Sequence, residues 1–267
     1  MSQTMHITDQ LNRAITLDKT PERIISVVPS ITELLVDLGL EEHIVGLTKF
    51  CIHPEEFKTT KTVIGGTKQV KIEKIRALQP DLILCNKEEN TREMIEELSA
   101  IAAVHVSDIY TLEDSFDLIH AYGKIFKKQN NAQQLIMEIQ QARAAFRSQN
   151  SEVSSGKVAY FIWKEPWMVA AKQTFIDSMI TEAGFDNVFG KEQRYPEISL
   201  QDPRLAMADL IFLSSEPYPF KETHVATFQS KFPDKDVRIV NGEMFSWYGS
   251  RMRLAFDYFW SLKEKSV

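Results

Sequence analysis

Ile72-Glu73-Lys74-Ile75-Arg76-Ala77-Leu78-Gln79-Pro80-Asp81-Leu82-Ile83-Leu84 reads as a short helix, an aspartate, an apolar strand and then a polar loop. The layout returns at Leu200-Gln201-Asp202-Pro203-Arg204-Leu205-Ala206-Met207-Ala208-Asp209-Leu210-Ile211-Phe212-Leu213. One βα unit used twice predicts two similar lobes. In open α/β sheets ligands bind beyond the carboxyl ends of the strands, so two facing lobes would set two groups of strand-end loops around one cleft.

Outward from these stretches, strand-like apolar runs alternate with helical patterns, the signature of a parallel sheet. Ile24–Val28 is the first strand. Ser30 and Glu33 are spaced as a capping box for a helix over Ile31–Leu38, which Gly39 ends. Strands are expected at Ile44–Leu47, Leu82–Leu84 and Val104–Val106, with helices around Ile72–Leu78 and Thr91–Leu98. From Leu112 to Phe146 the apolar residues step mostly by three, four or seven, a helical stripe that Thr111 can cap. This predicts one long helix, with Gly123 marking a bend, or else two helices broken near Gln129-Asn130-Asn131. After Ser154-Ser155-Gly156 the alternation resumes. It gives strands at Val158–Ile162, Met168–Ala171, Leu210–Leu213 and Val237–Val240, and helices from Thr174 to Ala183, after Pro219 and from Ser250 to Lys263. The expected fold is therefore α/β: two Rossmann-like lobes, each a mostly parallel sheet flanked by helices, joined by one long α-helix. The expected boundaries are 1–110, 111–150 and 151–267.

Charge and composition narrow the function. A net charge of −6, with the basic residues scattered, argues against nucleic acid as a partner. No apolar run approaches the ~20 residues that span a bilayer. Met1-Ser2-Gln3-Thr4-Met5 leads into polar sequence with no apolar signal region, so the chain as written is expected in the cytoplasm, and in the periplasm if a leader precedes it. Two cysteines, Cys51 and Cys85, make no disulfide framework and match no zinc spacing; both are read as inert thiols. Walker, GxGxxG, GxSxG and HExxH motifs do not occur.

The strand-end loops hold the candidate binding residues. The first lobe offers Phe50, His53 and Lys87. The second offers Trp163, Trp167, Tyr195, Glu216, Tyr218, Trp247, Tyr248 and Arg251. Aromatic residues on loops supply flat, rigid contact area suited to a large planar or conjugated ligand. His53 is a candidate metal ligand, because neutral imidazole binds iron, cobalt and zinc. Glu88, Glu89 and Glu216 leave acid–base chemistry open. His105, inside a strand run, and His120, on the helical stripe, are read as structural.

Several stretches resemble the helical-backbone substrate-binding proteins of ABC importers for cobalamin, haem and ferric siderophores, most of all the vitamin B12-binding branch. They are Ile7-Thr8-Asp9-Gln10, Ile15-Thr16-Leu17, Pro21-Glu22-Arg23-Ile24-Ile25-Ser26, Pro29-Ser30-Ile31-Thr32-Glu33, Ile72-Glu73-Lys74-Ile75 and Gln79-Pro80-Asp81-Leu82-Ile83. The resemblance covers nearly the whole chain. The loops at Asn86–Asn90, Glu216–Phe220 and Glu243–Arg251 look like a subgroup without an export signal. The resemblance implies two α/β lobes on one long helix and a non-enzymatic monomer that needs no cofactor and binds a metal chelate for a permease. In that branch a glutamate on each lobe docks the permease; Glu73 matches one, and Gln201 stands at the other. Ligand-stacking aromatics of the branch fall on Thr67 and Asn86 here, its cleft tyrosine falls on His53, and Tyr195 keeps an aromatic. The expected function is reversible binding of cobalamin, haem or a ferric siderophore. Trp163, Trp167, Trp247 and Tyr248 would stack, Lys87 and Arg251 would meet acidic groups, and His53 would meet the metal. A cytoplasmic enzyme, sensor or carrier acting on a tetrapyrrole-like molecule is the alternative.

Overall fold

The computed structural model describes residues 4–149 and 156–264; Met1-Ser2-Gln3 and Ser154-Ser155, both used in the sequence reading, lie outside the described residues. The chain divides into two compact units. The first takes the chain up to Asp108, Glu113–Ile139 and Tyr248–Arg251; the second takes Ile109–Leu112, Gln140–Trp247 and the chain from Met252 on.

The first unit opens with an antiparallel hairpin, β1 (Met5–Thr8) and β2 (Ala14–Leu17). Its turn is organised by the buried Asp9 carboxylate, which accepts from the backbone N–H groups of Leu11 at 3.0 Å and Arg13 at 2.9 Å. The sheet contains β3 (Ile24–Ser26), β4 (Ile44–Leu47), β5 (Thr62–Val63), β6 (Leu82–Asn86) and β7 (Ala103–Ser107), in the order β5-β4-β3-β6-β7 with all pairs parallel. β6 is buried along its whole length, as a central parallel strand covered on both faces must be. The single turn α2 (Phe57–Thr60) precedes β5, and Ile25, Ile75, Ile83, Met94, Leu98 and Val104 form one core cluster beneath α3 (Ile72–Ala77) and α4 (Arg92–Ser99). The expected capping box is not used. α1 (Pro29–Asp37) starts two residues early, with proline in its first turn and no side-chain cap. Gly39 does end it, at φ 72°, with Leu40 N–H donating to Leu35 O at 3.0 Å.

The expected single long helix is two. α5 (Leu112–Ile125) and α6 (Gln129–Gln149) are separated by a turn in which Lys127 takes φ 55°. Lys128 N–H donates to Gly123 O at 2.7 Å and Lys127 N–H to Lys124 O at 3.4 Å, a Schellman closure without glycine at the left-handed position. The two-helix alternative is therefore correct, with the break just ahead of Gln129-Asn130-Asn131. Within α6 the chain passes from the first unit to the second, between Ile139 and Gln140.

The second unit has β8 (Lys157–Trp163), β10 (Asp186–Asn187), β11 (Leu210–Ser214) and β12 (Asp236–Val240) in the parallel order β10-β8-β11-β12, and β9 (Met168–Val169) pairs antiparallel with β8. α7 (Phe175–Glu182) is capped by Thr174, whose hydroxyl accepts from Asp177 N–H at 3.1 Å. α8 (Arg204–Met207) precedes β11, α9 (Glu222–Lys231) precedes β12, and α10 (Glu243–Ser246) and α11 (Met252–Glu264) close the chain. Among the described residues no helix is long and apolar enough to cross a membrane.

Candidate functional site

The strand orders place a topological switch in each sheet: between β3 and β6 in the first unit, between β8 and β11 in the second. The crevice beyond the carboxyl ends of such strands is where open α/β sheets hold ligands. Two groups of residues stand at these ends, one on each unit.

In the second unit Trp163 ends β8 and is 39% exposed. Its ring meets Tyr218 edge-on at 5.6 Å, and Tyr218 follows β11 and bonds back through its N–H to Ile162 O. The Tyr218 hydroxyl lies 3.3 Å from His224 Nε2. Trp163 and Tyr218 thus present an aromatic surface at the switch point. Trp167, also named for stacking, packs into the core against Phe161, Phe220 and Phe228, with its ring stacked on Phe220 at an interplanar angle of 9°. Glu216 Oε1 accepts from Ser246 Oγ at 2.6 Å and Trp247 Nε1 at 2.9 Å, so this carboxylate anchors the loop after α10. That bond and 7% exposure give Trp247 a packing role in place of the expected stacking one. Tyr195 is half-buried, and the Arg194 guanidinium carbon lies 5.9 Å from its ring centroid.

In the first unit Phe50 is exposed in the loop after β4, with Lys49 Nζ 4.9 Å from its ring centroid. His53 is half-buried, within electrostatic range of Glu33 on α1. Lys87 Nζ is 2.7 Å from Asp108. Arg251 is buried, with its Nε 3.0 Å and Nη2 2.7 Å from the two oxygens of Glu33. The two cations expected to meet acidic ligand groups are therefore engaged within the first unit. Burial raises the Glu33 carboxyl above its ordinary range, against the lowering effect of Arg251. Tyr248 is buried with its hydroxyl 3.2 Å from Ser107 Oγ, and burial pushes its pKa up, which makes it a core residue of this unit. The β6 loop is tied down by Asn86, whose Oδ1 accepts from the N–H groups of Glu88 at 2.8 Å and Glu89 at 3.1 Å. Asn90 fixes it further by donating to Thr67 O at 2.8 Å. These contacts give Asn86 and Thr67 a part in shaping the loop.

Cys51 and Cys85 are free and buried. Burial raises both thiols, Cys85 to about 12, so neither is a thiolate at neutral pH. Among the described residues no group of three or more His, Cys, Asp or Glu side chains is placed to hold a metal ion. Glu73 and Gln201 are both exposed. Asp202, beside Gln201, is taken by Arg204, with Nη2 to Oδ2 at 2.7 Å, and that pairing lowers its carboxyl. Glu33 and Asp108 as partners of the cations are not legible in the sequence, nor is Tyr110, whose ring centroid is 6.0 Å from the Arg194 guanidinium carbon. Each lies far from its partner in the chain, where spacing carries no signal.

Comparison with known proteins agrees with this architecture. The chain is 25% identical over 240 residues, 88% of its length and 86% of the relative's, to a protein named vitamin B12-binding protein from Pectobacterium carotovorum. It superposes on a periplasmic haem-binding protein from a Roseiflexus species with a TM-score of 0.76, at 19% identity, covering 91% of this chain and 99% of that one. An ABC-type Fe3+-hydroxamate transport protein from Saccharomonospora viridis gives a TM-score of 0.74 at 20% identity, covering 98% of each chain. With residues 24–235 matched by the family's own sequence model, the chain belongs to the periplasmic binding protein family.

Proposed function

We propose that this protein binds a metal chelate of the cobalamin, haem or ferric-siderophore class, reversibly and without changing it, as the substrate-binding component of an ABC transport system. The observation that carries the reading is the aromatic surface of Trp163 and Tyr218 at the switch point of the second sheet. A flat, partly exposed aromatic pair suits a large conjugated ligand. Relatives named for vitamin B12, haem and Fe3+-hydroxamate support the ligand class. Tyr195 adds a second aromatic face, and His53 is the residue that would meet an iron or cobalt centre. The exposed Glu73 and Gln201 are the residues for a permease to meet.

Titration of the purified protein with cobalamin, haem and a ferric siderophore, followed by tryptophan fluorescence, tests the reading. Saturable quenching by at least one of them is expected, with the ligand recovered at unchanged mass. Trp163→Ala should remove much of the quench and weaken binding about fivefold to tenfold, the worth of one good aromatic contact. Failure of all three ligands to give a saturable change would overturn it.

A further inference from the structure

The backbone at the start of α9 decides where the hydrogen sits on one histidine of the second unit. His224 is the third residue of that helix, and its Nδ1 accepts from the N–H of Lys221, the residue before the helix, at 2.9 Å. This is the half of a capping box in which the third side chain satisfies an N-terminal donor. A backbone N–H only donates, so Nδ1 carries a lone pair. A neutral imidazole has one N–H, which must then be on Nε2. Nε2 lies 3.3 Å from the Tyr218 hydroxyl oxygen. It therefore donates to that oxygen, and the phenol cannot return its own hydrogen to the histidine. Among the described residues the Tyr218 hydroxyl has no other hydrogen-bond partner. Tyr160, in the same unit, differs: its hydroxyl donates to Ser214 Oγ at 3.1 Å. The Tyr218 ring is held by three others, with centroids 5.6 Å away at Trp163, 4.7 Å at Phe220 and 5.5 Å at His224. Tyr218 and His224 are half-buried and Trp163 is exposed. A packed ring thus carries an uncommitted O–H at the edge of the aromatic surface.

We propose that His224 is a positioning residue that makes Tyr218 an obligate hydrogen-bond donor, and that Tyr218 thereby selects chelates presenting a bare acceptor oxygen beside Trp163. The inference rests on the chelate-binding reading above and narrows it. A hydroxyl can ordinarily turn to donate or to accept, and so tolerates either kind of ligand group. Here its acceptor side is taken by Nε2–H, and only donation is left. A carbonyl, carboxylate or hydroxamate oxygen satisfies it, whereas a ligand N–H would meet another donor. The three rings and the backbone bond fix this polarity before the ligand arrives, so little ordering remains to be done on binding.

The test has a spectroscopic half and a binding half. In the ligand-free protein labelled with 15N-histidine, NMR should show neutral His224 with its hydrogen on Nε2. The hydrogen on Nδ1, or a mixture of the two forms, overturns the inference whatever the protein binds. For binding, haem, cobalamin and a neutral ferric trihydroxamate are titrated into wild type and variants, with thermal melts to establish that each variant is folded. Tyr218→Phe should weaken the chelate that binds by about threefold to tenfold, the net worth of one hydrogen bond. His224→Gln and His224→Glu both keep an acceptor for Lys221 N–H, and so the helix start. The Gln amide still donates to Tyr218, and binding should stay within about twofold of wild type. The Glu carboxylate instead accepts from Tyr218, and binding should fall as far as in Tyr218→Phe. In a Tyr218→Phe background Glu at position 224 should cost nothing further, which separates hydroxyl polarity from added charge. Equal binding by His224→Gln and His224→Glu overturns the inference, as does a Glu effect that persists without the hydroxyl. An iron–phenolate absorption band lost in Tyr218→Phe also overturns it and leaves chelate binding standing, because a metal-bound phenolate has no hydrogen to donate. No saturable binding of any probe removes the chelate-binding reading itself, and the selection by Tyr218 with it.

Discussion

His105 shows how a single side chain couples this fold to pH. It lies in β7 with its imidazole buried, edge-on to Tyr122 at 5.3 Å between ring centroids. Burial lowers its pKa from 6.5 to about 4, with Arg13 adding to the effect and Asp9 opposing it. Between those values the unfolded chain takes up a proton that the folded chain refuses, so stability is full above pH 6.5 and is lost as the pH falls. The loss amounts to about 3 kcal/mol by pH 4, at ~1.4 kcal/mol per pH unit. Urea unfolding of wild type and His105→Leu between pH 7 and 4.5 measures it. The wild-type midpoint should fall more steeply, and parallel curves would refute the coupling. That His105 is structural was legible from its place in the apolar run Val104–Val106. The engagement of Lys87 and Arg251 was not, because an ion pair leaves no periodicity in the chain and each partner had to be found in space.

Elements were legible wherever pattern and punctuation agree. The helices expected from Thr91 and Thr174 begin there, with those threonines as their caps, and the Gly39 stop stands where the sequence puts it. The break between α5 and α6 was only half legible, because its left-handed residue is Lys127, which carries no turn signal. Gly123 is the sequence mark of the break, but for a different reason than a bend. A Cβ on Gly123 would lie 2.7 Å from Ala132 Cβ and 3.4 Å from Gln129 Cα, so glycine is what lets α6 start this close to α5. Gly123→Ala sets two effects against each other. Helix propensity favours alanine by ~1 kcal/mol, whereas overpacking a fixed contact costs ~1–3 kcal/mol. Neither neighbour is the end of a flexible side chain, so the clash should win and the variant should be less stable by about 1 kcal/mol. Ala132→Gly in the same chain should recover part of that loss. A Gly123→Ala variant more stable than wild type in urea would show that the helices move apart at no cost.

At the scale of the molecule, the repeated βα layout identified two units, and both sheets are present as expected. The way the chain shares itself between them was not legible. Tyr248–Arg251 belongs to the first unit although the chain on either side of it belongs to the second. This short return is tied down by three kinds of contact: Tyr248 on Ser107, Gly249 N–H donating to Ser115 Oγ at 2.9 Å, and Arg251 on Glu33. Gly249 sits at φ 85°, a conformation that calls for glycine, and Leu34 lies 3.3 Å from where a Cβ would stand, so the space is tight as well. A repeat read along the sequence assigns this segment to the second lobe, because nothing in local pattern reports a contact made more than two hundred residues away. The consequence is that the first half of the chain is an incomplete unit. A fragment of residues 1–149 keeps β1–β7 but lacks the segment that covers Ser107, Ser115 and Glu33. Its far-UV circular dichroism should be lost broadly in urea and at a lower midpoint than in the full chain. Arg251→Met in the full chain isolates the ion pair from the rest. Leaving Glu33 buried without its partner should cost about 3 kcal/mol, and replacing both as Glu33→Leu with Arg251→Met should cost markedly less, because no uncompensated charge is then left inside. A fragment as stable and as cooperative as the full chain would show that the returning segment contributes nothing to the first unit. Equal losses in the single and double variants would show that packing, not charge, is what the pair supplies.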